Sequence, residues 1–355
     1  MNGSHSMPIP SDIQLQIPGN LSFFAVLLIA SFLLHIIFVN ITIALASGAV
    51  VFEGIGMRKK SSFYDRIAQI FSYHASIHKS IAVVLGVGPL LLISVLYTQY
   101  FYSSTILIGK AWLSIIILLI SAFLLLYAYK FLWDKLENKK MFHLAIGIAA
   151  TLILLFVPLI FIVNVVSMLY PEKWIRANGF FHSLFYYPQI WQRYFHFILA
   201  SFAGGGLYAA LFYTWKMRRQ KKKKPDYQED KLDHFIRRLG VKATIWITFI
   251  QFVAGALVLF SLEREIKLLY MGGDWLSTIL LISSLIATFI LLLFLYMADS
   301  KDSHRAFMGA LISFVIVLGL MGWMRHEVRE AYLKPHIENN PRTVELPLVK
   351  AKQDN

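Results

Sequence analysis

The chain has 355 residues, of which 57% are hydrophobic and only 15% charged, with a mean hydropathy of +0.61. A soluble domain carries about 25% charged residues, and a disordered chain is poor in apolar ones, so both classes are excluded. The net charge of +14 and the complete lack of cysteine narrow the chemistry. The positive charge sits in loops between apolar runs, which suits membrane topology and not nucleic-acid binding. Without thiols, disulfides, iron–sulfur clusters and covalently attached haem c are excluded, so His, Met or Glu must hold any metal or haem.

A helix needs about 20 mostly apolar residues to cross a bilayer. Eight such runs follow one another: Leu21 to Val51, Ser80 to Tyr100, Ile106 to Tyr129, Met141 to Leu169, Tyr194 to Trp215, Ala243 to Leu262, Trp275 to Ala298 and Ala306 to Met324. A short Ser-rich turn is expected between spans two and three. The pattern predicts an all-α, polytopic membrane bundle over residues 1–331, with a polar extracytoplasmic tail at 332–355. Residues 1–20 lack the basic start of a cleavable signal, and the first apolar run is too long for its core.

Lys and Arg set the orientation. The loops after spans one, three and five carry Arg58, Lys59, Lys60 and Arg66, then Lys130, Lys135, Lys139 and Lys140, then Lys216, Arg218, Arg219 and Lys221 to Lys224. The opposite side has Lys173 and Arg176 after span four, none before span one and none between spans two and three. The positive-inside rule places both termini outside, with the protein in a prokaryotic cytoplasmic membrane. The Lys221 to Lys224 run reads as a solvated cytoplasmic stop signal; a lipid-headgroup site is the alternative.

Ionisable residues at membrane depth are costly and tend to mark function. They are His35 near the middle of span one, Lys110 early in span three, His143 at the inner end of span four and His196 a turn into span five. His74 and His78 lie just before span two, and Arg325, His326, Glu327 and Arg329 lie at the outer end of span eight. His35 and His196 are candidate haem-iron ligands; the alternative is a helix-packing histidine bonded to a neighbouring helix. Arg193 shares a helix face with His196 and suits a haem propionate. The small residues from Ser201 to Gly206 allow close approach of either a macrocycle or another helix. Trp323 and Glu327 share a face, and Glu327 reads as an iron or proton ligand or as half of a surface ion pair. His182, in the outer loop, is the nearest second ligand in sequence for a haem on His196.

Three segments resemble subunit I of the bd-type quinol oxidases in a shortened form. They are Leu34-His35 through Leu45, Pro188 through His196 to the glycines, and Gly322-Trp323 to Glu327. The resemblance implies three haems near the outer face. It implies that His35 ligates a high-spin haem at the oxygen site, that His196 ligates a low-spin haem, and that Glu327 and Trp323 accompany the high-spin pair. The departures are specific. The family's acidic residues of spans two and three have no match, Thr278 and Leu280 stand where Arg and a ligating Met are expected, and Met271 and Met324 are the remaining substitutes. The quinol loop is cut to Glu263 through Tyr270, and the ninth span is missing.

The resulting expectation is a haem-binding membrane subunit of a respiratory electron-transfer complex. It would carry haem b, more than one copy and haem d remaining open. It would exchange electrons with an extracytoplasmic c-type cytochrome, beside other membrane subunits, and quinol is disfavoured as direct donor. Two alternatives stay open: a b-haem conduit without oxygen reduction, and a cofactor-free transporter or scaffold.

Overall fold

The computed structural model describes residues 20–223, 230–301 and 303–339. Eleven helices follow in order: α1 (Leu21–Lys59), α2 (Ser62–Leu96), α3 (Thr98–Leu107), α4 (Gly109–Phe131), α5 (Lys140–Met168), α6 (Gly179–Tyr186), α7 (Ile190–Lys223), α8 (Lys231–Ser261), α9 (Arg264–Leu268), α10 (Trp275–Lys301) and α11 (His304–Asn339). Eight of them, α1, α2, α4, α5, α7, α8, α10 and α11, are long and apolar enough to cross a membrane. They are the eight predicted spans. Each connection reverses the chain, so the basic loops collect at one end of the bundle, the basic end, and the remaining connections at the far end.

The boundaries follow local chemistry. The Asn20 side chain caps α1 by accepting the Ser22 N–H at 2.8 Å, and α1 stops at Lys60 in a left-handed conformation with φ 50°. Asp230 caps α8 in the same way through Leu232. Helices overrun the apolar windows because charged ends reach into the interface while the backbone stays hydrogen-bonded. Thus α2 begins at Ser62, α7 carries Lys216 to Lys223 on a helical extension, and α11 continues to Asn339. The division expected at 331 falls within α11, where Tyr332 and Leu333 are buried. Residues 1–19, 224–229 (with Lys224 of the basic run), 302 and 340–355 lie outside the described residues.

One expectation is corrected. The Ser-rich segment between spans two and three is a helix, α3, and not a turn. Ser103, Ser104 and Thr105 donate back to the carbonyls of Gln99 and Phe101, which satisfies their hydroxyls within a helix. Buried Asn164 of α5 donates to Ser104 and Thr105 at 3.2 and 3.0 Å and holds α3 on the bundle.

The outer surface of the bundle is apolar, unlike that of a soluble protein. Ile106, Val84, Leu113 and Ile117 are each 69 to 78% exposed, which is favourable only in hydrocarbon. The interior is apolar too, around residues such as Ile43, Ile67 and Ile160, but the seams along α7 are small and polar. The Ser201 hydroxyl donates to Asn40 at 2.9 Å, Gly205 lies on Ala44, and Gly206 lies against Gly240 and Thr244. Glycines of α7 therefore seat α1 on one side and α8 on the other, the helix-packing use of this stretch.

Candidate haem sites and two polar networks

His35 lies on α1 with its ring against α2. Its Nδ1 donates to the Ala82 carbonyl at 2.8 Å, and Nε2 has no protein partner among the described residues. A Cβ on Gly86 would come within 2.9 Å of the ring's Cε1, so Gly86 gives the ring its place. An axial imidazole needs this arrangement: one N–H tied to a carbonyl to fix tautomer and orientation, the other nitrogen free for iron.

His196 is nearly two turns into α7 and faces α8. Gly255 passes its ring at van der Waals distance, and Gln251 donates to its carbonyl at 3.0 Å. Neither ring nitrogen has a hydrogen bond among the described residues, and Nδ1 is fully buried. An unpaired polar group in hydrocarbon costs several kcal/mol, so the site as drawn by the protein alone is incomplete. Both histidines therefore fit a haem as a ligand set, on their unfilled nitrogens.

Arg193 is held in place: its Nε and Nη2 donate to Gln189 at 3.0 and 2.7 Å. Gln189, at the positive φ of 71°, donates to Tyr170 and Tyr332 at 2.5 and 2.7 Å. The Tyr332 hydroxyl also receives the Glu263 N–H at 2.9 Å. This network knots α7, α11 and the α8–α9 junction together at the far end. Burial raises the Glu263 carboxyl above its usual range, with Glu172 adding repulsion. The short stretch after α9 is folded tightly through Gly272 at φ 107°, and Tyr270 is buried with its hydroxyl on the Met324 carbonyl at 3.1 Å. Thr278 closes that turn, accepting from the Gly272 N–H and donating to Leu269 and Asp274. Met271 is exposed.

Gly322 brings α11 onto α1 beside Ile29 and Leu33, just outward of His35. Trp323 donates to Glu327 at 2.9 Å. Arg325 stacks on Phe32 and Arg329 on Tyr97, at 3.9 and 4.4 Å, so neither arginine forms an ion pair with Glu327 among the described residues. His182 lies exposed on α6, with Nδ1 accepting from Asn178 at 3.2 Å and its ring on Tyr186. No contact joins it to His196. Lys110 is exposed at the start of α4.

The basic end holds residues that apolar windows pass over. Buried Glu53 receives the Tyr129 hydroxyl at 2.6 Å and lies 2.7 Å from His143 Nδ1, while His143 Nε2 donates to the Tyr129 carbonyl at 2.8 Å. His143 is thus fully engaged and has no nitrogen for iron. Lys79 is buried with its ammonium between the rings of Phe123 and Tyr127, at 3.8 and 3.6 Å. His74 bonds Tyr208 across α2 and α7 at 2.8 Å. The available signal for Glu53 and Lys79 was their place: charged residues within a turn of the edge of an apolar run, inside a helix that continues past it.

The sequence matches the family described as cytochrome bd terminal oxidase subunit I over residues 24–268, more than half of the chain. No curated protein matches it. The match includes His35 and His196 and stops before α10 and α11, which carry Trp323 and Glu327. Together with eight membrane-crossing helices, it makes this chain a member of the cytochrome bd terminal oxidase subunit I family, and so a haem-binding subunit of a membrane-embedded respiratory oxidase complex.

Proposed function

We propose that the chain carries haem b on His196 and a second haem on His35, and passes electrons between an extracytoplasmic c-type cytochrome and an oxygen-reducing pocket at His35. The observation that carries this reading is the His35 ring, tied to Ala82 through Nδ1 with Nε2 left over. When bound, haem supplies the redox chemistry. The chain's own residues orient and insulate it: Ala82 fixes one imidazole, Gly86 and Gly255 leave room for both, and Arg193 offers its remaining guanidinium N–H groups to a propionate. Trp323 and Glu327 would place a carboxylate on the His35 side. His182, exposed on α6, would reach a haem only from the surface.

The far end is the extracytoplasmic side in this reading, because the Lys and Arg of the three loops after spans one, three and five gather at the other. Both termini are then outside. A c-type cytochrome suits this side as donor, since the loop where quinol would bind is short and its Tyr270 and Thr278 hydroxyls are engaged within it and with the Met324 carbonyl. A second reading, an electron conduit without oxygen chemistry, is favoured by one observation: α4 has no acidic residue, and α2 has only Asp65 at its basic end.

The test is spectroscopy of the purified complex. Reduced-haem bands are expected, with haem b by extraction. His196→Ala should lose one low-spin signal and His35→Ala the oxygen-reactive one, with membrane insertion kept. A colourless protein, or both signals surviving both substitutions, would overturn the assignment. Rapid haem reduction by a quinol analogue without any cytochrome would overturn the donor.

A further inference from the structure

The basic end of the bundle opens into a cleft of about 490 Å³, walled by Tyr73, Lys130, Phe212, Tyr213 and Lys216, and reaching His74. From His74 a column of polar rings runs along the seam of α2 with α1 and α7. His74 Nδ1 and the Tyr208 hydroxyl are 2.8 Å apart. The Tyr208 ring meets the His78 ring edge-on at 4.6 Å, and His78 stacks on Phe38 of α1 at 5.8 Å. Ala82, whose carbonyl holds His35, is one turn beyond His78 on α2, and Phe38 is one turn from His35 on α1. The last ring of the column and the proposed oxygen-site histidine are thus successive rungs on the same two helices.

We propose that His74, Tyr208 and His78 relay protons from the basic face to the His35 pocket, in place of acidic side chains on spans two and three. This rests on the haem assignment of His35. Oxygen reduction takes four protons and four electrons per O₂ and yields two waters, so a pocket buried in hydrocarbon needs a polar route from one face. The hydrogen bonds define the carriers. His78 Nδ1 donates to the His74 carbonyl at 2.8 Å, which leaves Nε2 as its exchanging nitrogen. His74 has Nδ1 on Tyr208 and Nε2 without a protein partner among the described residues. A proton from water in the cleft binds His74 Nε2, Nδ1–H passes its proton to the Tyr208 oxygen, the tyrosine releases its own hydroxyl proton to His78 Nε2 across one water, and His78 Nε2 gives it up again to water on the His35 side. No electron moves in these steps, and a ring turn or back-exchange restores the starting tautomers.

The charged groups around the column favour transit over storage. Lys130 of α4 and Lys216 of α7 stand at the cleft, Lys216 being paired with Asp233 at 2.7 Å. Lys79 is adjacent on α2, turned toward α4. No carboxylate among the described residues contacts either imidazole, so nothing traps a proton there.

The cleanest variant is Tyr208→Phe, which keeps the ring contacts and removes one hydroxyl. The haem-loaded complex is reduced anaerobically by hexaammineruthenium(II), whose oxidation releases no proton, in weakly buffered medium with a pH dye, and separately turned over with oxygen, ascorbate and a redox mediator. Proton uptake and oxygen consumption should slow roughly tenfold or more, with a larger D₂O effect and unchanged haem content and spectrum. His78→Phe should do the same. His74→Ala should be slowed and then restored by millimolar imidazole, which enters the cleft; a helix clamp alone would not be rescued. Wild-type proton-uptake rates in Tyr208→Phe and His78→Phe, with haem intact, overturn the relay, as does a wild-type complex that takes up no protons on reduction. If the wild type consumes no oxygen, the oxygen chemistry fails while the anaerobic uptake still decides the relay. Survival of the oxygen-reactive haem in His35→Ala refutes the haem assignment by itself.

Discussion

At the basic end, His143 spends both ring nitrogens on Glu53 and the Tyr129 carbonyl, and Glu53 spends its other oxygen on the Tyr129 hydroxyl. At the far end, His196 spends neither ring nitrogen, and His35 spends one. Both regions place imidazoles at membrane depth, and their identity alone does not separate them. The difference lies in what is left over. The basic-end cluster closes on itself: the Glu53 oxygens and the His143 nitrogens all find partners within it or on the Tyr129 carbonyl. The far-end histidines are complete only with something added. A satisfied polar network locks helices together, whereas an unsatisfied one is held for a ligand.

The largest expected effect comes from breaking the closed cluster. His143→Ala strands the Glu53 carboxylate among α1, α4 and α5, and removing one member of a buried pair costs about 3 to 5 kcal/mol. Stability in detergent, followed by unfolding or retained fold on heating, should drop accordingly, and Glu53→Ala should behave likewise. The double change Glu53→Leu with His143→Leu should recover much of the loss, since no charge is left unpaired. If His143→Ala unfolds like the wild type and loses haem instead, the two regions have been assigned the wrong way round.

Much of this contrast was hidden in the sequence for a definite reason. Apolar windows find the eight spans well, because hydrocarbon contact demands long uncharged runs. They find ends poorly, because a helix continues wherever its charged side chains reach the interface. Glu53, Lys79 and His74 all fall in such continuations of α1 and α2. The His35 and His196 segments were legible as candidates. Which histidine keeps a free nitrogen was not, since that depends on the Ala82 and Tyr129 carbonyls and on Glu53, all on other helices. The Ser-rich stretch was misread because its hydroxyls bond within α3, a use that composition does not distinguish from a turn.

Two glycines sharpen the comparison with one added methyl each. A Cβ at Gly147 would lie 2.6 Å from Cε2 of the Tyr129 ring, which is 1% exposed and packed on His143. Overpacking of such a site costs about 1 to 3 kcal/mol. A Cβ at Gly86 would lie 2.9 Å from Cε1 of the half-buried His35 ring and must tilt it away from the Ala82 carbonyl. Gly147→Ala should lower thermal stability and leave the haem spectrum alone. Gly86→Ala should shift the spectrum or lower the content of the His35 haem, with a smaller loss of stability. The reverse outcome, a spectral shift from Gly147→Ala only, would place the haem at the basic end.

The smallest expected effect tests whether Glu327 belongs to the far-end site at all. Its single hydrogen bond among the described residues comes from Trp323, one turn earlier on α11, and neither flanking arginine pairs with it. A surface ion pair would have been worth about 0 to 1 kcal/mol, and here that pair is not formed. Glu327→Gln keeps the acceptor for Trp323 and removes one negative charge, so stability should change by about 1 kcal/mol or less. A carboxylate near a haem stabilises the more positive ferric form. At an effective dielectric of about 20, a unit charge roughly 10 Å away is worth about 2 kcal/mol. Removing it should raise the midpoint potential of the His35 haem and leave that of the His196 haem less affected, as read in a redox titration followed at both bands. The Gly322 contact with Leu33 brings this end of α11 against α1 on the His35 side, which gives the expected order of the two shifts. Equal potentials in Glu327→Gln and wild type would confine Glu327 to the surface of α11 and leave the oxygen site without a carboxylate from that helix.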